Sequence, residues 1–232
     1  TLEVRYAFSG EKIDYVVGAF GFYQKLHTDG LQVQGPAASR WLLNPSTPQA
    51  NNPAELNGPT SENQIDFENT SAALFGQLTW RVTDKFRVEP GVRLNYDDKD
   101  GSYVATVTNA TNTPLTATQR SILAPQAYEA QFDDWNLSGN INLAYALTPD
   151  VLAYVTYAKS FKSGGINLSG LPLDAQNNPI LAASTVEPED VNHYEAGLKT
   201  QFLDRKATVN LAAFWSVVQE YQATVTNGQR GV

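Results

Sequence analysis

Cysteine is absent from all 232 residues, which excludes disulfide staples and thiolate metal sites. Histidine is almost absent: His27 and His193 stand far apart in the chain, so no metal centre is expected. No run of about 18 apolar residues exists, so no membrane-spanning helix is expected. That absence leaves membrane strands open, because barrel strands alternate and keep a low mean hydropathy. The observed mean of -0.33 suits a barrel or a soluble domain. Charged residues make up 17%, few for a soluble domain, and the net charge is -8. No basic stripe is visible, so nucleic acid is not an expected partner. The opening Thr1-Leu2-Glu3-Val4-Arg5 has neither a basic nor an apolar leader region, as expected of a processed chain or an internal piece of a longer one.

Catalytic patterns are missing too. Gly164-Gly165 beside Lys162 and Ser163 lacks the order of a phosphate loop. Glu89 and Glu195 lie far apart in sequence, and nothing makes them a hydrolytic pair. There is no nucleophile elbow of the G-x-S-x-G kind. Neither an enzyme nor a cofactor is expected.

What the chain does have is alternation. From Phe86 to Asp97, the even positions are Phe86, Val88, Pro90, Val92, Leu94 and Tyr96, and the odd ones Arg87, Glu89, Gly91, Arg93, Asn95 and Asp97. Strand side chains point to opposite faces in turn, so one face is apolar and the other polar. The pattern recurs in Leu2–Phe8, in a third strand from about Ile65 to Val82 with its faces clear over Ser71–Val82, in Asn136–Leu147, in Val191–Leu203 and from Ala207 to about Tyr221. Ile13–Lys25 and Val151–Lys159 are strand-like with ambiguous faces. Four short turns alternate with three long segments, expected as loops over His27–Asn63, Asp98–Asp133 and Phe161–Pro188, the second with a strand-like extension at Tyr103–Thr108. Short turns on one rim and long loops on the other are the pattern of an outer-membrane barrel. Facing Arg87, Glu89 and Arg93 to hydrocarbon would cost about 2–4 kcal/mol for each basic group, so that face is expected to enclose water.

Specific residues then reach a family. Val186-Glu187-Pro188-Glu189-Asp190-Val191, continuing through Tyr194-Glu195-Ala196-Gly197-Leu198-Lys199-Thr200, resembles a signature of TonB-dependent outer-membrane receptors. Tyr157-Ala158-Lys159-Ser160-Phe161-Lys162-Ser163-Gly164-Gly165 resembles the segment that precedes it there. Glu3-Val4-Arg5 and Ala73-Leu74-Phe75-Gly76-Gln77 are similar to further strands of the family, in family order.

The resemblance implies an all-β fold: an antiparallel transmembrane β-barrel, of which this chain holds about eight of 22 strands, with short periplasmic turns and long extracellular loops. It implies a barrel section over 1–232 with the plug domain absent. It also implies partners: outer-membrane lipid, the TonB energy-coupling complex acting through that plug, and a ferric siderophore or other small nutrient. Arg5, Arg87, Glu89, Arg93, His193, Glu195 and Lys199 are the expected lumen-facing polar residues. Trp41, Tyr103, Phe132, Trp135 and Phe161 are expected on or beside the loops, as aromatic candidates for substrate capture. Two other readings stand beside this one: a complete eight-stranded barrel that anchors or adheres, and a soluble β-sandwich binding module.

Overall fold

The computed structural model describes residues 1–110 and 113–223. Eight strands form one antiparallel sheet in sequence order: β1 (Leu2–Ser9), β2 (Ile13–Val33), β3 (Thr60–Arg81), β4 (Phe86–Thr108), β5 (Gln126–Thr148), β6 (Val151–Lys162), then β9 (Glu189–Phe202) and β10 (Ala207–Gln219). Between β6 and β9 lies a two-residue ribbon, β7 (Gly165–Ile166) with β8 (Thr185–Val186). Two short helices, α1 (Ala38–Leu42) and α2 (Ala117–Ile122), lie in the first two loops. β1 and β10 each pair on one side only, so among the described residues the sheet is open and does not close as an eight-stranded barrel.

One rung of the ladder runs Ala7–Val16–Gln77–Gly91–Asn140–Ala158–His193–Ser216. It lies two residues from Ser9 at the end of β1 and nine from Ala207 at the start of β10. The rim therefore drops about one residue per strand. At about 3.3 Å per residue and 4.8 Å between strands, the strands tilt about 35° from the normal to that rim. That is the tilt of a membrane barrel.

The apolar face carries its own ruler. Phe86 packs on Tyr145 with ring centroids 6.5 Å apart, and Tyr96 on Trp135 at 4.9 Å. These pairs join the same two strands and stand ten residues apart on β4. Between them the face shows Val88, Pro90, Val92, Leu94, Leu137, Gly139, Ile141 and Leu143, with no charge. Ten residues tilted by about 35° rise about 27 Å, close to the roughly 25 Å apolar band of such barrels. Beyond Tyr96 the same face turns to Asp98 and Asp100, and beyond Trp135 to Asp133 and Gln131.

The strands do not stop at the edge of the band. β4 continues twelve residues past Tyr96, and β2, β3 and β5 rise with it. The long segments are accordingly shorter than the sequence suggests: 34–59, 109–125 and 163–188 replace His27–Asn63, Asp98–Asp133 and Phe161–Pro188. Above the hydrocarbon neither face has to be apolar, so alternation fades while backbone pairing continues.

The first two loops share a small core. Ala38, Leu43, Ala50 and Leu56 pack with Ile122 of α2. Thr116 caps α2, accepting a bond from the Gln119 backbone N–H at 3.1 Å while the Thr116 N–H donates to Gln119 Oε1 at 3.0 Å. The same Gln119 donates through Nε2 to the Glu55 carbonyl, 3.2 Å away. One side chain thus helps cap the start of a helix and ties the two loops together.

Candidate functional site

Parity places Arg5, Arg87, Glu89, Arg93, His193, Glu195 and Lys199 on one face of the sheet, opposite the uncharged band. They do not stand alone there. Arg87 pairs with Glu89 at 2.8 Å. Glu89 accepts a bond from Asn142 Nδ2 at 2.7 Å, and Asn142 Oδ1 accepts one from Thr156 at 3.0 Å. Thr156 faces Glu195 across the next strand pair. Glu195 accepts from the Tyr154 hydroxyl at 2.6 Å and lies 3.6 Å from His193 Nε2, while His193 Nδ1 is 2.8 Å from Ser216 Oγ. A polar chain thus crosses the wall from β4 to β10.

Cations on this face also lie over rings. Arg93 stands 5.2 Å from the centroid of Phe20 and 5.6 Å from that of Phe75, which Arg5 approaches from 5.8 Å. Arg5 is bonded as well to Glu3. Lys199 lies 5.2 Å from the Tyr154 ring. Tyr154 itself crosses Gly197, where an added Cβ would come within 2.6 Å of its ring and hydroxyl. The glycine of the Tyr-Glu-Ala-Gly-Leu-Lys run is there to let an aromatic lie flat on the wall.

Higher on the same face, the third long loop lies on β4 and β5. Leu171 is fully buried against Tyr103, Ala105 and Tyr128, whose rings stack at 5.3 Å. Gln126 meets the Leu171 backbone with both ends of its amide: Oε1 accepts from the N–H at 2.9 Å, and Nε2 donates to the carbonyl at 2.9 Å. The Tyr128 hydroxyl donates to the Asn167 carbonyl at 3.0 Å and accepts from the Gly170 N–H at 3.2 Å. Lys99 donates to Ser163 Oγ at 2.8 Å and to the Gly164 carbonyl, and lies 5.8 Å from the Phe132 centroid. These groups lie above the aromatic pair Tyr96–Trp135, outside the membrane band. Burial pushes the Tyr128 hydroxyl up to about 12 and the Lys99 ammonium below its ordinary value.

The aromatic candidates separate. Trp41 lies on α1 in the first loop and is 82% exposed. Tyr103 and Phe132 are strand residues of the polar face, not loop residues, and lie in the region where the third loop docks. Trp135 is a strand residue of the opposite face, 64% exposed beside Tyr96. Phe161, a strand residue of β6, pairs with Asp190 of β9 and points to that same outer face. Trp135 and Phe161 thus leave the candidate set, because strand parity turns them away from the polar wall. Lys99, Gln126 and Tyr128 join it. Continuing the β4 parity past Asp97 would have put Lys99 and Tyr103 on the polar face from sequence alone. Among the described residues, no group of three or more potential ligands could hold a metal ion.

The family model described as "TonB dependent receptor-like, beta-barrel" matches residues 4–232. The chain belongs to that family. Members of this TonB-dependent family are barrels of the bacterial outer membrane, and the relatives found are transport receptors rather than enzymes. The pesticin receptors of Yersinia enterocolitica and Yersinia pestis are 24% identical over 151 residues, which is 65% of this chain and 19% of theirs. Among solved structures, the ferric yersiniabactin uptake receptor FyuA from Yersinia pestis superposes with a TM-score of 0.63 at 20% identity, covering 95% of this chain and 28% of that one. The siderophore receptor PiuA from Acinetobacter baumannii gives 0.58 at 18% identity, covering 90% and 29%. At such identities the structural likeness is one of fold. The chain spans about a fifth of the length of the pesticin receptors it matches.

Proposed function

We propose that this chain is a section of the wall of an outer-membrane receptor that takes up a ferric siderophore, with gating driven by the TonB complex through a plug domain. The observation that carries the reading is the division of labour between the two faces. One is free of charge for ten residues between aromatic pairs, and the other carries Arg87, Glu89, Glu195 and His193 in a polar chain with Arg5, Arg93 and Lys199 lying over rings beside it. In a closed barrel the first face meets acyl chains and the second encloses water. The relatives named for ferric siderophores support the substrate class, and their family supports the TonB coupling. The wall does no covalent chemistry: it binds, orients and leaves a path. Arg93, Arg5 and Lys199, each lying over a ring, supply cations on the water side, where an anionic iron complex or a plug carboxylate would meet them.

In-frame deletion of the full gene tests the reading. The deletion strain should lose growth on at least one member of a ferric hydroxamate, catecholate and phenolate panel under iron limitation, and plasmid rescue should restore it. Unchanged uptake of the whole panel would overturn the siderophore reading. The faces are tested separately with spin labels in the full receptor. Leu143 should be quenched by a lipid-soluble agent and Asn142 by a water-soluble one.

A further inference from the structure

The third loop meets the wall in an unequal way. The wall supplies most of the donors, namely the Lys99 ammonium, the Gln126 amide and the Tyr128 hydroxyl, and the loop answers each with an oxygen; in return the loop gives only the Leu171 and Gly170 N–H groups, to Gln126 Oε1 and the Tyr128 hydroxyl. Three of these four oxygens are backbone carbonyls, those of Gly164, Leu171 and Asn167; the fourth is Ser163 Oγ. Beneath them Tyr103 and Tyr128 are stacked, and Phe132 lies near the Lys99 ammonium. The seat is cut for close approach. A Cβ at Gly164 would come within 2.2 Å of the Phe132 ring, and one at Gly101 within 2.6 Å of Leu168. Gly170 takes φ +92°, a left-handed conformation, just before Leu171 enters its pocket. The return of the loop rides on this segment: Gly165 and Ile166 pair with Val186 and Thr185, the Asn167 N–H donates to the Ser184 carbonyl at 2.7 Å, and Ala183 packs on the same cluster, so 183–186 lifts with it. Beyond Leu171, Ile180 and Leu181 are exposed, and Asp174 bonds locally to the N–H groups of Gln176 and Asn178.

We propose that residues 163–171 are a removable strap whose oxygens fill a donor-lined aromatic site on the inner wall, and that an oxygen-rich iron chelate takes the same site when the strap lifts. A chelate presents what the strap presents: carbonyl, hydroxamate or phenolate oxygens for Lys99, Gln126 and Tyr128, and flat surface for the rings. Exchanging one set of oxygens for the other leaves no wall donor unpaired; Gln126 Oε1, which accepts from the Leu171 N–H, then needs a hydroxyl or amide of the chelate or a water in its place. The ligand class rests on the siderophore reading above; the strap does not.

The test uses the full-length receptor in outer-membrane vesicles. Without ligand, Lys99→Ala should speed amide hydrogen exchange at Gly170 and Leu171 about tenfold, because a strap that opens as a unit feels the loss of a distant anchor. Exchange there unchanged by Lys99→Ala would mean a permanent part of the wall and would overturn the strap. Next, Gly101→Cys and Leu168→Cys are introduced together, which removes the Leu168 methyl that an added Cβ at Gly101 would meet, and formation of the crosslink is checked by mass spectrometry before binding is measured. Oxidation should cut binding of the ferric siderophore that supports growth by about tenfold or more, and reduction should restore it, showing that the variant is folded. Full binding by the oxidised receptor would overturn the shared site. Saturating siderophore should also speed exchange at Gly170 and Leu171 in the unmodified receptor. Slower or equal exchange would mean that ligand sits above a closed strap, again overturning the proposal. If no siderophore on the panel is taken up, the substrate class falls, and the exchange result with Lys99→Ala still decides the strap.

Discussion

Strands β2 to β5 run for 21 to 23 residues, whereas β6, β9 and β10 run for 12 to 14. The short half is cut close to the length that hydrocarbon requires. The tall half exceeds it by a paired extension that stands roughly 30 Å above the band at the tilt derived above. The two halves obey different rules. Inside the band, lipid demands an uncharged outer face and tolerates no unpaired backbone. Above it, water relaxes the first demand and the ladder alone holds the strands. The extension is put to use: it carries the Gln119-linked cap and gives the strap, which starts from the short half, a surface on which to dock.

The comparison is broken most directly by moving one charge along one face. Val92 and Val104 share a strand and a parity, twelve residues apart. Val92→Arg should cost about 2–4 kcal/mol of folding stability, and Val104→Arg under about 0.5 kcal/mol, read from the folded yield and urea midpoint of the full receptor. Equal costs would mean that the band does not end at Tyr96.

A smaller effect sharpens the picture of the strap. Leu171→Ala should cost about 2 kcal/mol of local opening, at the low end for a buried leucine because the loop can settle into the space. Leu181→Ala, in the exposed part of the same loop, should change nothing measurable. Site-resolved hydrogen exchange distinguishes them.

The cap responds next. Thr116→Ala removes the side-chain half of the α2 capping box and should loosen that helix by about 1 kcal/mol. Since Gln119 also holds the Glu55 carbonyl, exchange should rise in the first loop too. A rise confined to 113–123 would show that the two loops move independently.

The smallest expected effect is a titration on the outer face of the extension. His27 contacts Asp66 at 2.8 Å and Asp29 at 3.4 Å. The hydrogen bond to Asp66, followed by the charges of Asp66 and Asp29, raises its pKa above 6.5. A raised histidine pKa contributes stability that is complete below about pH 6.5 and is lost as pH rises through the higher folded value. Both partners are exposed, so the effect on unfolding will be slight. Imidazole NMR should show the raised midpoint and its return toward 6.5 in Asp66→Asn.

Much of this was legible in the residues. Eight strands, their order and the faces of β4 and β5 up to Tyr96 and Trp135 follow from period-two alternation, because hydrocarbon on one side and water on the other impose it. The tops of β2, β4 and β5 do not follow, whereas most of β3 does, since its strand is expected from about Ile65. Asp98, Asp100, Asp133 and their neighbours carry no apolar stripe, and a strand without one is indistinguishable from a loop by periodicity. The aromatic candidates divide for the same reason: composition sets Trp135 and Phe161 near loop ends, whereas strand parity puts them outward. Trp41 stayed in a loop, where the prolines and asparagines of 44–53 had already marked one.

By itself the amino-acid sequence determined the architecture of the wall. Alternation selects strands and register, a one-residue slip would turn every charge to the wrong side, and short polar turns make neighbours antiparallel. Only the tertiary structure decided how tall each strand stands, which loops share a core, and that residues 163–171 occupy Lys99, Gln126 and Tyr128. Those contacts join segments 39 to 65 residues apart through single side chains and backbone oxygens, and every residue has a backbone oxygen to offer.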